Sequence, residues 1–170
     1  TDKSFTLEVF CKPESLSGAQ ILIAKGDQQV AIKTQDSNFQ FFTYNGNWQT
    51  LSAPVPDGWL GQWHQVAAVY DKGAMSIYVD GQLVGSAQKP NEIDSSSQRL
   101  AIGYQTDKGD RFSGEISLAR VYGRALSKEE IDAQRSMTPA ISWDSDDVLL
   151  WADYSGVTER ETSYYNYYVQ

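Results

Sequence analysis

Disulfides are excluded at the outset, because the 170 residues include a single cysteine, Cys11. It sits in an alternating apolar stretch, which predicts a buried, inert thiol and not a nucleophile. The lack of bridges leaves the compartment open, since exported bacterial domains often do without them. Histidine is as scarce: His64 stands alone. A histidine-built zinc site therefore has no second ligand of its kind, and a catalytic triad would need partners gathered around this one ring. No Gly-x-Ser-x-Gly elbow occurs. Positive charge is in deficit, with 14 Lys and Arg against 22 Asp and Glu and a net charge of -8. Phosphate backbones and anionic lipid surfaces recruit Lys and Arg, so this balance argues against nucleic acid and membrane partners. No apolar run is long enough for a membrane span, and no signal peptide is present. The sequence opens at Thr1, without Met, almost directly into strand-like residues. It reads as a piece cut from a longer protein, with any export signal upstream. Repeats, low-complexity tracts and clear linkers are also missing, which favours one domain over residues 1–170.

What is abundant is aromatic: 5 Trp, 10 Tyr and 6 Phe, side chains that fill sandwich cores and also stack on sugar rings. Short β-type runs punctuated by turn residues make up most of the chain. Phe5 to Cys11 alternates and should stop before Pro13. Gln20 to Ala24, Gln29 to Thr34 and Phe39 to Tyr44 follow, the last turning at Asn45-Gly46 into Trp48 to Leu51. Trp63 to Tyr70 is nearly continuous apolar sequence, as in a strand covered on both faces. Met75 to Val79, Asp80-Gly81 and Gln82 to Val84 form a hairpin pattern. Leu100 to Gly103 and Gly114 to Tyr122 are further strands. Ser127-Lys128-Glu129-Glu130 fits a capping box, which predicts one helix to about Arg135 that ends before Pro139. Val148 to Ala152 reads as a buried strand, and the tail from Tyr164 to Val169 is Tyr-rich and β-prone. Strands outnumber the single helix, so the fold class is an all-β antiparallel sandwich.

Several of these stretches, in this order, resemble the laminin-G-like jelly-roll family. They are Ser4 to Phe10, Gly61 to Ala67, Tyr78 to Gly81, Leu100 to Gly103, and Phe112 to Ile116 running on through Arg120 to Ser127 and Glu130-Ile131. The resemblance implies a concanavalin A-like, two-sheet jelly-roll sandwich with one short helix. More narrowly, Ala24-Lys25-Gly26-Asp27 and the Phe41 to Trp48 hairpin are similar to the module attached to bacterial β-galactosidase-type glycoside hydrolases. That implies an exported, non-catalytic accessory module that binds carbohydrate, with galactose-containing glycans as ligands and the parent's catalytic domain as neighbour. The alternative is a structural or protein-docking domain with no glycan site. Family members often begin with an extra strand that this chain lacks; Val148 to Asp153, or a strand upstream of Thr1, are the candidates to fill that edge.

The same sandwich also hosts glycanases, which need carboxylates about 5–5.5 Å or about 6.5–9.5 Å apart across the scissile bond. A strand supplies such a pair with Glu-x-Asp-x-Glu or Glu-x-Asp-x-x-Glu spacing. Neither pattern occurs; Glu159 and Glu161 sit in a polar segment, and Asp144, Asp146 and Asp147 in a loop. Likeness to the calcium-binding loops of pentraxins implies Asp27, Gln105 and Asp107 as calcium ligands, with Gln28 and Asp110 nearby. Two amides replace the pentraxin Glu and Asn, and calcium prefers carboxylates, so the plainer reading makes the two aspartates turn residues. No cofactor is required. For sugar stacking, the aromatics outside the core alternation are Tyr44, Trp48, Trp59 and Tyr104. Each has a competing role as a lid on the core. Trp143 and Trp151 are assigned to the core, and Tyr164, Tyr165, Tyr167 and Tyr168 to a sheet edge or a neighbouring domain.

Overall fold

The structure, a computed structural model, describes residues 3–26, 29–95, 97–105 and 110–136, with a two-residue strand at Tyr164–Tyr165. Eleven strands and one helix follow in chain order. They are β1 (Ser4–Pro13), β2 (Gln20–Lys25), β3 (Val30–Gln35), β4 (Asn38–Tyr44), β5 (Trp48–Pro54), β6 (His64–Asp71), β7 (Ala74–Val79), β8 (Gln82–Gln88), β9 (Ala101–Ile102), β10 (Gly114–Tyr122), α1 (Lys128–Ser136) and β11 (Tyr164–Tyr165). They form two antiparallel sheets, ordered β11-β10-β1-β6-β7-β8 and β5-β4-β3-β2-β9. This is the jelly-roll sandwich that the strand spacing and the family resemblance imply.

Period-2 alternation builds the interior. Leu7, Val9 and Cys11 of β1 face Ile23, Ile32, Phe39 and Phe41 of the other sheet within one apolar cluster. Each fully buried side chain of this size contributes about 1.5–3 kcal/mol. Cys11 is fully buried there, and desolvation, reinforced by the Asp80 charge, pushes its thiol pKa far up. The two sheets meet along the β5 and β8 edges. Gly85 makes this possible, because a Cβ there would lie 2.7 Å from that of Ala53.

Tight hairpins join neighbouring strands. Asp80 and Gly81 adopt φ of +51° and +75°, the mirror-image turn expected from Asp-Gly. Asp36-Ser37, at φ of +51° and +61°, makes the same turn without a glycine, so composition did not announce it. Two strand ends differ from expectation. β1 continues through Pro13, paired with Gly114 at the strand's last position, where the missing N–H breaks no interior ladder. β6 starts at His64, leaving Trp63 outside the sheet and 48% exposed. Val148 to Ala152, Trp143 and Trp151 lie outside the described residues. The strand paired with the β10 edge is β11, with Ala119 opposite Tyr165 and Arg120 opposite Tyr164.

The helix is fastened to the outer face of the six-stranded sheet. Ile131 and Leu126 pack on Ala67, Val69 and Tyr122. Beneath them lies Glu8, wholly buried. Gln65 Nε2 donates to Glu8 Oε1 (2.7 Å) and also to the Ile131 carbonyl (2.9 Å). The Tyr122 hydroxyl (3.1 Å) and Arg120 Nη1 (3.2 Å) donate to Glu8 Oε2. Arg120 reaches on to Gln134 Oε1 at 2.8 Å. Burial, then the adjacent Glu8 charge, pushes the Tyr122 phenol up to about 12. The capping box forms as expected: Ser127 N donates to Glu130 Oε2 (2.8 Å) and Glu130 N to Ser127 Oγ (3.2 Å). Arg124 pairs with Glu130 at 2.7 Å.

Three outcomes follow from this packing. Glu8→Ala strands the buried Arg120 guanidinium and should cost about 3–5 kcal/mol in urea unfolding; an unchanged midpoint would mean the cluster is not the anchor of α1. The bonds from Arg124 and from the Ser127 amide hold the Glu130 carboxyl down at about 2. A depressed folded pKa stabilises above the unfolded value, near 4.5, and that contribution disappears as pH falls through about 2. Carboxyl NMR titration should therefore show Glu130 still ionised at pH 3. Cys11 should resist a thiol-reactive disulfide in native buffer and react fully in denaturant; rapid native labelling would contradict its burial.

Candidate functional site

The inward residues of β4, Phe39 and Phe41, belong to the core, so Asn38, Gln40, Phe42 and Tyr44 must point out of the sandwich. Register places Trp48 opposite Tyr44, Thr50 opposite Phe42, Ser52 opposite Gln40 and Pro54 opposite Asn38. Lys33 and Gln35 of β3 extend the same outer face across Gln40 and Asn38. Sequence reading singled out the aromatics and missed these amides and hydroxyls. Counting every second residue back from Tyr44 and forward from Trp48 was the signal that would have found them.

Two of the aromatics named from sequence come together here. Trp48 is 44% exposed, yet its ring is held by two neighbouring rings. Phe42 meets it edge-on at 4.8 Å and 89°, and Tyr44 meets it at 4.9 Å and 62°. These cross-strand ring pairs are worth about 0.5–1.5 kcal/mol each and fix the indole before any ligand arrives. The hairpin loop is tied down as well. Asn45 N donates to the Asn47 carbonyl (3.1 Å), Gly46 N to Asp94 Oδ2 (2.9 Å) and Gln49 Nε2 to Asn45 Oδ1 (3.1 Å). Asp94 N returns a bond to the Tyr44 carbonyl at 2.7 Å. The result is an exposed, preset indole face beside a strip of neutral donors and acceptors. Ile21, Ala24, Ala31 and Phe42 form a small buried cluster beside it on the same sheet face.

The other candidates lie elsewhere. Trp59 is corrected from rim aromatic to core: it is 2% exposed, stacked on His64 at 4.8 Å and edge-on to Phe39 at 5.1 Å. Its Pro-Asp-Gly loop folds the indole into the open end of the sandwich, so neither ring face is available to a sugar. Tyr104 sits beyond β9, bridged to Arg111, whose guanidinium covers its ring at 4.8 Å. β9 and β5 are opposite edges of the sheet, four strand steps or roughly 19 Å apart. Asp27, Gln28 and Asp107 lie outside the described residues. Gln105 is buried, its N–H bonded to the Asp110 carbonyl at 2.9 Å. Calcium takes about 6–8 oxygens, and the described residues do not supply that shell by themselves. Among the described residues no group of three or more His, Cys, Asp and Glu gathers as a metal site would need.

His64 has a structural setting. Its Nδ1 donates to Asp80 Oδ2 (2.7 Å), while Asp80 Oδ1 accepts from the Gln65 amide (3.0 Å). Its buried Nε2 has no hydrogen-bond partner among the described residues, so no nucleophile is presented to it there. The Asp80 carboxylate thereby ties the start of β6 to the β7–β8 turn.

Comparison with known proteins agrees with this fold. A family model described as the concanavalin A-like lectin/glucanases superfamily matches residues 1–132. Among solved structures, a candidate carbohydrate-binding protein from Bacteroides ovatus superposes with a TM-score of 0.62 at 21% identity. That match covers 78% of this chain and 41% of the other, so the chain spans under half of that relative's length. A heptameric pentraxin from Limulus polyphemus gives a TM-score of 0.61 at 23% identity, covering 86% of this chain and 78% of that one. Domain 4 of an extracellular arabinanase from Geobacillus stearothermophilus, in complex with arabinotriose, gives 0.61 at 21% identity, covering 78% and 66%. At such identities the structural matches speak for the fold. With the family model covering most of its length, this chain belongs to the concanavalin A-like lectin/glucanases superfamily, as a domain of the laminin G type.

Proposed function

We propose that this domain is a non-catalytic carbohydrate-binding module that stacks a sugar ring on Trp48. The observation that carries the reading is the indole itself: 44% exposed, and held by ring contacts with Phe42 and Tyr44. A pyranose face supplies C–H groups for such a ring, and Gln40, Thr50 and Ser52 offer neutral partners for its hydroxyls. None of β2, β3, β4, β5 and β9 contains Asp or Glu. Glu8 is sealed beneath α1 against Arg120. Two of the structural relatives, by their names, bind carbohydrate or carry a bound arabinotriose, which supports the same class of ligand.

In the fuller form of the proposal, the module serves an exported bacterial glycoside hydrolase of the β-galactosidase type and takes galactose-containing glycans. A second reading, docking against the parent's catalytic domain, draws on Leu60 and Trp63, which are 47% and 48% exposed within one loop.

A glycan array followed by calorimetry tests the first reading. Trp48→Ala should weaken the best ligand at least about ten-fold, as loss of a central stacking residue does at other interfaces. Trp63→Ala should leave it within about two-fold. Silence across the array, or binding indifferent to Trp48→Ala, would sink the assignment. Capture of the parent catalytic domain that is lost in Trp63→Ala would then favour docking.

A further inference from the structure

We infer that Asp94 selects the ligand of the Trp48 face: its carboxylate accepts from the hydroxyls of a neutral oligosaccharide and disfavours an anionic one. This inference rests on the carbohydrate-binding reading above. It starts from the way Asp94 is held. The segment joining β8 to β9 passes from one sheet to the other and buries Ile93 in the core cluster. The Tyr70 hydroxyl donates to the Pro90 carbonyl (3.1 Å), and Lys3 Nζ donates to the Ile93 carbonyl. The next amide, Asp94 N, donates to the Tyr44 carbonyl at 2.7 Å. The backbone at Asp94 is thereby fixed, while the residue itself is exposed at the tip of the β4–β5 hairpin.

That anchoring puts a carboxylate within reach of the indole. In a strand, the N–H and the carbonyl of one residue point toward the same neighbour. Tyr44 N donates to the Gln29 carbonyl at 3.0 Å, so Asp94 lies on the β3 side of Tyr44, and Trp48 pairs on the other side. Asp94 and Trp48 are then two strand spacings apart, roughly 10 Å, a gap that adjoining sugar rings span. The amide that Asp94 accepts from, Gly46 N, belongs to the short loop between Tyr44 and Trp48.

Holding the loop takes one acceptor, and Oδ2 supplies it at 2.9 Å. Among the described residues, Oδ1 meets no donor and no ion pair joins Asp94 to a cation. An asparagine or serine oxygen would serve the Gly46 amide as well. What a carboxylate adds is a charged acceptor, exposed and already oriented, beside a preset ring. Hydrogen bonds to an ionised acceptor are about twice as strong as neutral ones. An acceptor held in place also loses little freedom when the ligand arrives. Sugar hydroxyls donate to it; an ionised uronate carboxyl has no proton to donate. The uronate instead meets a like charge, reinforced by exposed Glu92 two residues earlier and by the net charge of -8. Trp48 accepts any sugar with an apolar face, and Asp94 decides between a neutral and an acidic one.

The test uses the chain as it stands, with tetragalacturonate and the same tetrasaccharide reduced at its carboxyls to primary alcohols. Calorimetry at low salt should show the neutral form bound about ten-fold more tightly. Raising the salt to about 0.5 M should narrow that gap by screening the repulsion. Asp94→Asn keeps an oxygen for the Gly46 amide and removes the charge. It should weaken the neutral tetrasaccharide about ten-fold and leave the uronate unchanged or tighter. That divergence separates direct contact from mere support of the indole, whose displacement would weaken both ligands alike. Asp94→Ser, which also keeps an acceptor for the loop, should behave in the same way, and circular dichroism melting of both variants establishes that they fold. Equal weakening of both ligands would overturn the role given to Asp94 and leave the carbohydrate site intact. So would neutral binding that ignores both variants but is lost in Trp48→Ala, or a uronate bound as tightly as the neutral form by the unaltered chain. No binding of either ligand, or binding indifferent to Trp48→Ala, would remove the inference together with the site it rests on.

Discussion

A carboxylate with no access to water must be answered by the protein around it, and Glu8 organises one half of this molecule through that requirement. Its partners come from the two flanking strands: Gln65 on β6, and Arg120 and Tyr122 on β10. Two of these, Gln65 and Arg120, also bond groups on α1. The charge can therefore be satisfied only when both neighbouring strands are in register and the helix is seated. Apolar contact alone, from Ile131 and Leu126 onto Ala67 and Val69, would hold the helix against the sheet but tolerate sliding. The polar cluster sets one position, and Thr6 adds to it by accepting from Leu126 N and donating to the Arg124 carbonyl.

Seating the helix there has a consequence on the far side of the sandwich. One outer face is given over to structure, with Glu8 and Arg120 paired beneath the helix. The outer face of the five-stranded sheet is free of acids along its strands and carries the exposed indole. The two faces are separated by an interior with the packing of Phe39, Phe41, Tyr70 and Trp59, so neither can borrow side chains from the other. The β5 edge is pressed against β8 through Gly85, which keeps the strand that bears Trp48 from fraying. A stacking residue on an edge strand is an unusual risk, because edges twist and slip. Here three contacts limit it: the Tyr44 pair, the Phe42 edge contact and the loop bond to Asp94.

The sequence-based expectations failed in places with a shared cause. Trp59 follows Pro-Asp-Gly and was expected at the rim; the loop turns inward and the ring stacks on His64. Trp63 adjoins an apolar run and was expected in the strand; it lies outside the sheet, in the open. Local composition identifies a loop, but the direction a loop's side chain takes depends on where the two sheets gape. Tyr44 and Trp48 were expected on a rim, and Tyr104 in the same class; only the first two meet, because strand order puts β9 and β5 at opposite edges. Glu8 gave no sign of its burial, since an alternating strand ordinarily places such a residue in water.

From sequence alone came the sandwich, its hairpins, the capped helix and the two aromatics of the β4–β5 hairpin. These depend on period-2 alternation, on turn residues that accept positive φ, and on side-chain capping, all of which act over a few neighbouring positions. Strand order, the choice of which outer face receives the helix, the fate of each loop tryptophan and the gathering of acid-free strands into a single sheet belong to the tertiary structure. They depend on which segments, distant along the chain, are brought side by side, and local patterning carries no record of that partner.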